Sequence, residues 1–161
     1  MRQRLIFIKA MILSLFLVFA ASSNGMAQQK TSEHGFALGV LQLETPNSDR
    51  LSLVVEIAAT TAERSKGLMH RFALTDSDGM LFLWPDKAVR QFWMKNTPLS
   101  LDILFFDSDG ILVHEAHAQT PFSTELISSL LPVQYVLELP AGGAARLGIE
   151  IGTQITKAPH P

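Results

Sequence analysis

The stretch Phe92-Trp93-Met94-Lys95-Asn96-Thr97-Pro98-Leu99-Ser100-Leu101-Asp102-Ile103-Leu104-Phe105-Phe106 reads as two apolar, strand-like runs joined by a short polar turn. Side chains alternate along a strand, so Phe92 and Met94 share one face of the first run while Trp93 and Lys95 share the other. In the second run Leu101, Ile103 and Phe105 point one way, and Asp102, Leu104 and Phe106 the other. One carboxylate therefore sits among large apolar side chains. A buried, unpaired charge is strongly unfavourable, so Asp102 needs a partner, and Lys95 and Asn96 are the nearest candidates in sequence.

The flanking segments extend the β pattern. Phe36 to Leu43 alternates, Glu44 to Asp49 is dense in turn formers, and Leu51, Leu53, Val55 and Ile57 mark one face of a return strand, which together predict a hairpin. Thr60-Thr61-Ala62-Glu63 has capping-box spacing and predicts a short helix to about Met69. Asp76 to Gly79 turns into a strand from Met80 to Trp84, which Pro85-Asp86 is expected to end. Asp107-Ser108-Asp109-Gly110 closes a tight hairpin into Ile111 to Ala116. It is not a calcium loop, since Gly110 falls too early and Ala118 stands where the closing Glu belongs. A long connection from Gln119 to Pro132 is expected to hold a helical turn at Leu126 to Leu131. Val133 to Leu139 alternates again, Pro140 to Gly148 suggests a short helix closed by Gly148, and Ile149 to Ile155 reads as a last strand. The fold expected is mostly β (α+β): a small single-domain barrel or sandwich over residues 36–156, with two or three short helices.

The amino terminus reads as an export signal. Arg2, Arg4 and Lys9 precede an uncharged run from Ala10 to Ala21, and Gly25-Met26-Ala27 offers small residues where a signal peptidase reads. The run is about 12 residues, roughly 18 Å as a helix, against the roughly 30 Å of a bilayer core. Residues 1–27 are thus expected to be a signal peptide and residues 28–35 a mobile leader, giving a periplasmic or secreted domain with no membrane span after cleavage. Cleavage also takes away three basic residues, leaving 10 Lys and Arg against 15 Asp and Glu. No basic cluster remains, which argues against nucleic acid as a partner. With no cysteine in the chain, disulfides, thiolate catalysis and thiolate metal sites are excluded.

Chemistry concentrates in one constellation: Trp93, Lys95, Asn96, Asp102 and Glu138, with Arg64 at its rim. An indole that stacks and polar groups that orient suit a small polar ligand, a sugar or an envelope component. The alternatives are a buried network that fixes strand register, and an envelope glycan or polymer hydrolase using Asp102 and Glu138 as its acid pair. Met69, Met80 and Met94 are the methionines left after signal removal. Such a set can hold Cu(I), although core filling explains it better and no metal or other cofactor is expected. His114 and His117 fall on opposite strand faces, and His70 suits a helix end. The chain has no Gly-x-Ser-x-Gly elbow, Gly-rich phosphate loop, His-Glu-x-x-His or dinucleotide fingerprint.

Five blocks, Glu63 to Met69, Gly79 to Phe82, Phe92 to Thr97, Leu101 to Phe105 and Val136 to Glu138, resemble in order the motifs of domain of unknown function 192, an uncharacterised bacterial and archaeal family. The resemblance spans roughly Leu51 to Ile155. It implies a mostly β single domain with short helices, in many members behind an export signal, and no activity. The positions it carries over are Arg64, Gly67, Met69, Gly79, Met80, Trp93, Met94, Lys95, Asn96, Thr97, Asp102 and Glu138. Where members tend to have Gly-Asp this chain has Gly152-Thr153, so any role of that acid is absent or has passed to Glu150.

Overall fold

Residues 29–160, described by a computed structural model, form one sheet of seven strands with two short helices. The strands are β1 (Ala37–Glu44), β2 (Arg50–Ala58), β3 (Gly79–Phe92), β4 (Leu101–Phe106), β5 (Leu112–Ala116), β6 (Ile127–Pro140) and β7 (Gln154–Lys157). Helix α1 (Thr61–Lys66) follows β2, and α2 (Gly143–Leu147) follows β6. The spatial order is β5-β4-β6-β3-β2-β1-β7. All neighbours are antiparallel except β2 and β3, which run parallel. The expected export signal lies outside the described residues. Of the expected leader, Thr31 bridges Ala37 and the Glu33 N–H donates to Asp76 Oδ2 at 2.9 Å.

The sheet curls into a half-barrel until its outer strands approach each other. Ile111 bridges Gln154, the Leu112 N–H donates to the Thr153 carbonyl at 2.8 Å, and the Ile155 N–H donates to the Gly110 carbonyl at 2.8 Å. Period-two alternation then divides the apolar side chains between two clusters. The inner one joins Leu41, Leu43, Leu53 and Val55 to Leu104, Phe106, Leu112 and Leu137, which belong to strands far apart in the sheet order. The outer one gathers Met80, Phe82, Met94, Leu101, Ile103, Phe105 and Val136. The expected alternation of Leu101 to Phe106 is thus borne out, with all six residues buried because β4 is covered on both faces.

Several expected boundaries change. Phe92 to Lys95 is not a separate strand paired with β4. Phe92 instead ends β3, opposite Ile127 of β6, and the chain then turns at Asn96, whose φ of 57° is left-handed. Pro85-Asp86 does not end β3 either. The register slips between Leu83 and Ala88, so the proline occupies an irregularity where no ladder N–H is required, and Gln134 Nε2 donates to the Trp84 carbonyl at 3.2 Å across it. The helical turn expected at Leu126 to Leu131 is absent. β6 starts at Ile127, and its second slip is spanned by Ser129, whose hydroxyl accepts from the Arg90 N–H at 2.9 Å and donates to the Leu131 carbonyl at 2.7 Å. The last strand begins at Gln154 rather than Ile149.

Gly79 marks where β3 enters against β6. A Cβ there would overlap the Glu138 carbonyl and meet the Leu139 side chain at 2.8 Å. Gly79→Ala is expected to destabilise the domain by about 1–3 kcal/mol, read as a lower urea midpoint. An unchanged midpoint would show that the strands can separate at no cost.

Candidate functional site

Glu138 sits where three strands meet, level with Met80 of β3 on one side and Ile103 of β4 on the other. Its two strand neighbours belong to the outer cluster, so it faces outward from the curl. The residue is only 5% exposed. Among the described residues no side-chain hydrogen bond or ion pair reaches its carboxyl, and burial alone pushes it up to about 8. A carboxyl in that state is largely protonated at neutral pH, able to donate as well as accept.

Above Glu138 lies a cleft of about 410 Å³. Phe82, Trp84 and Phe92 supply its aromatic wall, with Phe92 edge-on to Phe82 at 5.1 Å and to Trp84 at 6.2 Å. α1 builds another wall. Its capping box holds as expected, the Thr60 hydroxyl accepting from the Glu63 N–H at 3.2 Å and the Glu63 carboxylate accepting from the Thr60 and Ala59 N–H groups at 2.7 and 3.0 Å. The bond from the Thr60 N–H is the main reason the Glu63 carboxyl stays below its usual range. Thus anchored, α1 presents Arg64, whose guanidinium donates to the Ala59 carbonyl, to Leu83 O at 2.9 Å and to the Thr61 hydroxyl at 3.4 Å, and lies 5.3 Å from the Trp84 ring centroid.

The segment after β3 closes the remaining side with Trp93, 45% exposed, and the buried Thr97. Lys95 Nζ stands 5.1 Å from the Trp93 ring centroid, so the ammonium covers the indole rather than pairing with an acid. Asn96 lies beside Met69, with Nδ2 3.9 Å from Sδ, and its carbonyl accepts from the His70 N–H at 2.7 Å.

Asp102 is elsewhere. It pairs with Leu139 across the ladder and faces inward, 1% exposed. Its partners are not Lys95 and Asn96. Oδ1 accepts from the Ala118 N–H at 2.9 Å and Oδ2 from the Ala144 N–H at 3.2 Å, with His117 Nδ1 3.5 Å away. A hydrogen bond to Glu115, with Nε2 to Oε1 at 3.2 Å, holds the His117 imidazole above the usual histidine range. Because Asp102 and Glu138 are offset by one position in the β4–β6 ladder, their carboxyls emerge on opposite faces. They cannot act as an acid pair on one substrate. The structure therefore brings together Arg64, Trp93 and Glu138, places Lys95 and Asn96 beside them, and separates Asp102.

Residues 43–157 match the profile of the family designated DUF192, described as an uncharacterised ACR. The chain belongs to this family. Its fold resembles that of a protein from Sinorhizobium meliloti, provisionally described as a transcription regulator, with 39% identity, a TM-score of 0.71, and coverage of 74% of this chain and 92% of that one. It also resembles a protein of unknown function from Novosphingobium aromaticivorans, with 32% identity, a TM-score of 0.75, and coverage of 82% and 94%. No functionally curated protein matches the chain.

Six of the positions that the sequence resemblance carries over, Arg64, Gly67, Met69, Trp93, Thr97 and Glu138, line the cleft. Met80 and Met94 fill the outer apolar cluster. At the departure from the motif, the buried Thr153 hydroxyl accepts from the Glu150 N–H at 3.2 Å, a role internal to the turn.

Two features escaped sequence reasoning. The aromatic wall was signalled by Phe82 and Trp84, two apart on one strand, but Phe92 joins them only because β3 continues through Pro85. The other is the buried pair Glu56–Arg71, 2.6 Å apart and 2% and 3% exposed, with Arg71 5.1 Å from the Phe36 ring centroid.

Asp102→Ala orphans two backbone donors, one of them in a buried contact. A loss of about 2–4 kcal/mol is expected by urea denaturation, and a stability unchanged from wild type would remove the anchoring role. Glu138 has the opposite signature. Its carboxyl titrates near 4.5 when unfolded and at about 8 when folded, so the native state binds the extra proton between those limits. Stability contributed by the protonated form is fully present below pH 4.5 and is lost as pH rises to 8, with a slope of up to about 1.4 kcal/mol per pH unit. Glu138→Gln should flatten that slope in a series of melts, and parallel wild-type and variant profiles would contradict it.

Proposed function

We propose that this DUF192 domain is an exported binding or accessory module whose cleft holds a small polar ligand, such as an envelope component. The observation that carries the reading is a buried carboxyl without a protein partner, placed under an open, aromatic-walled cleft. A carboxyl largely withdrawn from water, without a protein partner and opening into the cleft, directs its hydrogen-bonding capacity there, and a ligand that bonds to it offsets part of the cost of burial. The half-exposed Trp93 indole offers a flat apolar surface above that polar point, and the cleft volume falls within the range of small-molecule sites. Six motif positions around one cleft support the same conclusion.

Hydrolysis by an Asp102 and Glu138 pair is set aside, because the two acids occupy opposite faces. Copper binding draws no support from Met80 and Met94, whose side chains are spent on packing. Export rests on the basic start and uncharged run of the amino terminus and places the ligand in the periplasm or outside the cell. The regulator description of the Sinorhizobium meliloti relative is not carried over, since acidic residues outnumber basic ones after signal removal and no basic cluster is present.

The test is a thermal-shift screen of the mature domain against envelope-derived metabolites, repeated with Trp93→Ala. At least one compound is expected to raise the melting temperature in a dose-dependent way. Trp93→Ala should weaken it about five- to thirtyfold, in line with loss of a stacking contact of roughly 1–2 kcal/mol. Hits that ignore the substitution, or none at all, would end the cleft reading.

A further inference from the structure

The charges around the cleft are lopsided. Arg64 and Lys66 of α1 line it, Lys95 covers Trp93, and Arg90, 4.6 Å from the Trp84 ring centroid, is paired with Asp86 at 3.1 Å. The acids nearby are all engaged elsewhere. Glu56 of β2 shares the outer face with Glu138, separated by Met80, and its Oε1 accepts from the Arg71 guanidinium at 2.6 Å. Glu63 is turned back onto the Ala59 and Thr60 N–H groups, and Asp102 of β4 faces the interior. Among the described residues Glu138 is thus the one acid lining the cleft, and burial favours its uncharged form. A cationic ligand would meet Arg64 and Lys66 with nothing to balance it. An anionic one meets complementary charge.

Arg64 has capacity to receive it. A guanidinium carries five N–H donors, and its contacts to Ala59, Leu83 and Thr61 engage three. Those contacts fix the plane of the group, which favours recognition of a planar acceptor such as carboxylate. Lys66 is less free, since its ammonium donates to the His34 carbonyl at 3.1 Å and lies 4.9 Å from the Phe36 ring centroid.

We propose that the cleft selects a sugar-like ring bearing a carboxylate, a uronate, with the ring against Trp93, the carboxylate toward Arg64 and a ring hydroxyl on Glu138. This rests on the ligand-binding reading of the same cleft and adds the charge and the ring chemistry. A hydroxyl both donates and accepts, so it suits a carboxyl that can do the same. The indole stacks on the apolar face of a pyranose, and the guanidinium distinguishes the acid from its neutral and amino counterparts.

Two epimeric triads test the inference: galacturonate, galactose and galactosamine, and glucuronate, glucose and glucosamine. Binding to the isotopically labelled mature domain is followed by amide chemical shifts. One uronate is expected to bind about tenfold tighter than its neutral sugar, with the amino sugar weakest. The preference should shrink with added salt, as a partly exposed charge contact does. Arg64→Met should reduce uronate affinity to that of the neutral sugar, Arg64→Lys should keep most of the order, and Glu138→Gln should weaken all members of a triad alike. Because Arg64 also ties α1 to β3, the salt series on the wild-type protein provides the same readout without relying on the Met variant folding. Equal affinities within a triad, or an amino sugar that binds best, would overturn the charge selection while leaving a ligand-binding cleft. Silence from all six sugars would overturn the uronate assignment, and the metabolite screen with Trp93→Ala then decides the broader reading separately.

Discussion

A carboxyl group withdrawn from water must find donors, find a cation, or give up its charge. This domain buries three acids and treats each differently. Asp102 receives backbone N–H groups from Ala118 and Ala144, which tie the chain after β5 and the start of α2 to the inner face of β4. Glu56 takes Arg71, locking the segment after α1 onto β2. Glu138 takes neither, and of the three it is the one that lines the cleft beneath α1. The first two acids act as fasteners between elements. The third has no fastening to do, which is why function is sought there.

The alternation of β4 and β6 settles which acid goes where. Adjacent positions on paired strands fall on opposite sides, so a one-residue offset sends Asp102 into the curl and Glu138 out of it. The cleft is then completed by elements that are short but well pinned. α1 has six residues and is held by its capping box and by Arg64, which reaches across to the β3 backbone. The Trp93 segment is held by the Asn96 turn and its bond to His70. A rigid sheet with small, tethered walls preserves the geometry of a pocket without a large insertion.

Much of this was legible in the residues. The β1–β2 and β4–β5 hairpins, the capping box, the Gly148 helix end and the alternation within Leu101 to Phe106 are local signals, and local signals were enough. The errors lay in strand boundaries: β3 and β6 were judged too short, the last strand too long, and Phe92 to Lys95 was read as a strand of its own. Pro85 reads as a terminator because it lacks an N–H, yet a register slip next to it leaves no ladder bond to lose. Leu126 to Leu131 reads as a helical turn because its partner, the far half of β3, is more than thirty residues away. The site was half legible for the same reason. Arg64, Trp93 and Glu138 line one cleft, whereas the partners of Asp102 are main-chain groups that no side-chain pattern reveals.

The strand order carries a kinetic consequence. Within the ladder order, β6 joins β5 and β4 on one side to β3, β2, β1 and β7 on the other. It is also the sixth strand to be synthesised. A chain ending before about Ile127 can therefore pair β1 with β2 and β3, and β4 with β5, but cannot join the two sets, and the final assembly waits on contacts distant in sequence, the slow kind. A polypeptide of this topology closes its sheet only once β6 has been made, so the step that commits the domain comes late in synthesis.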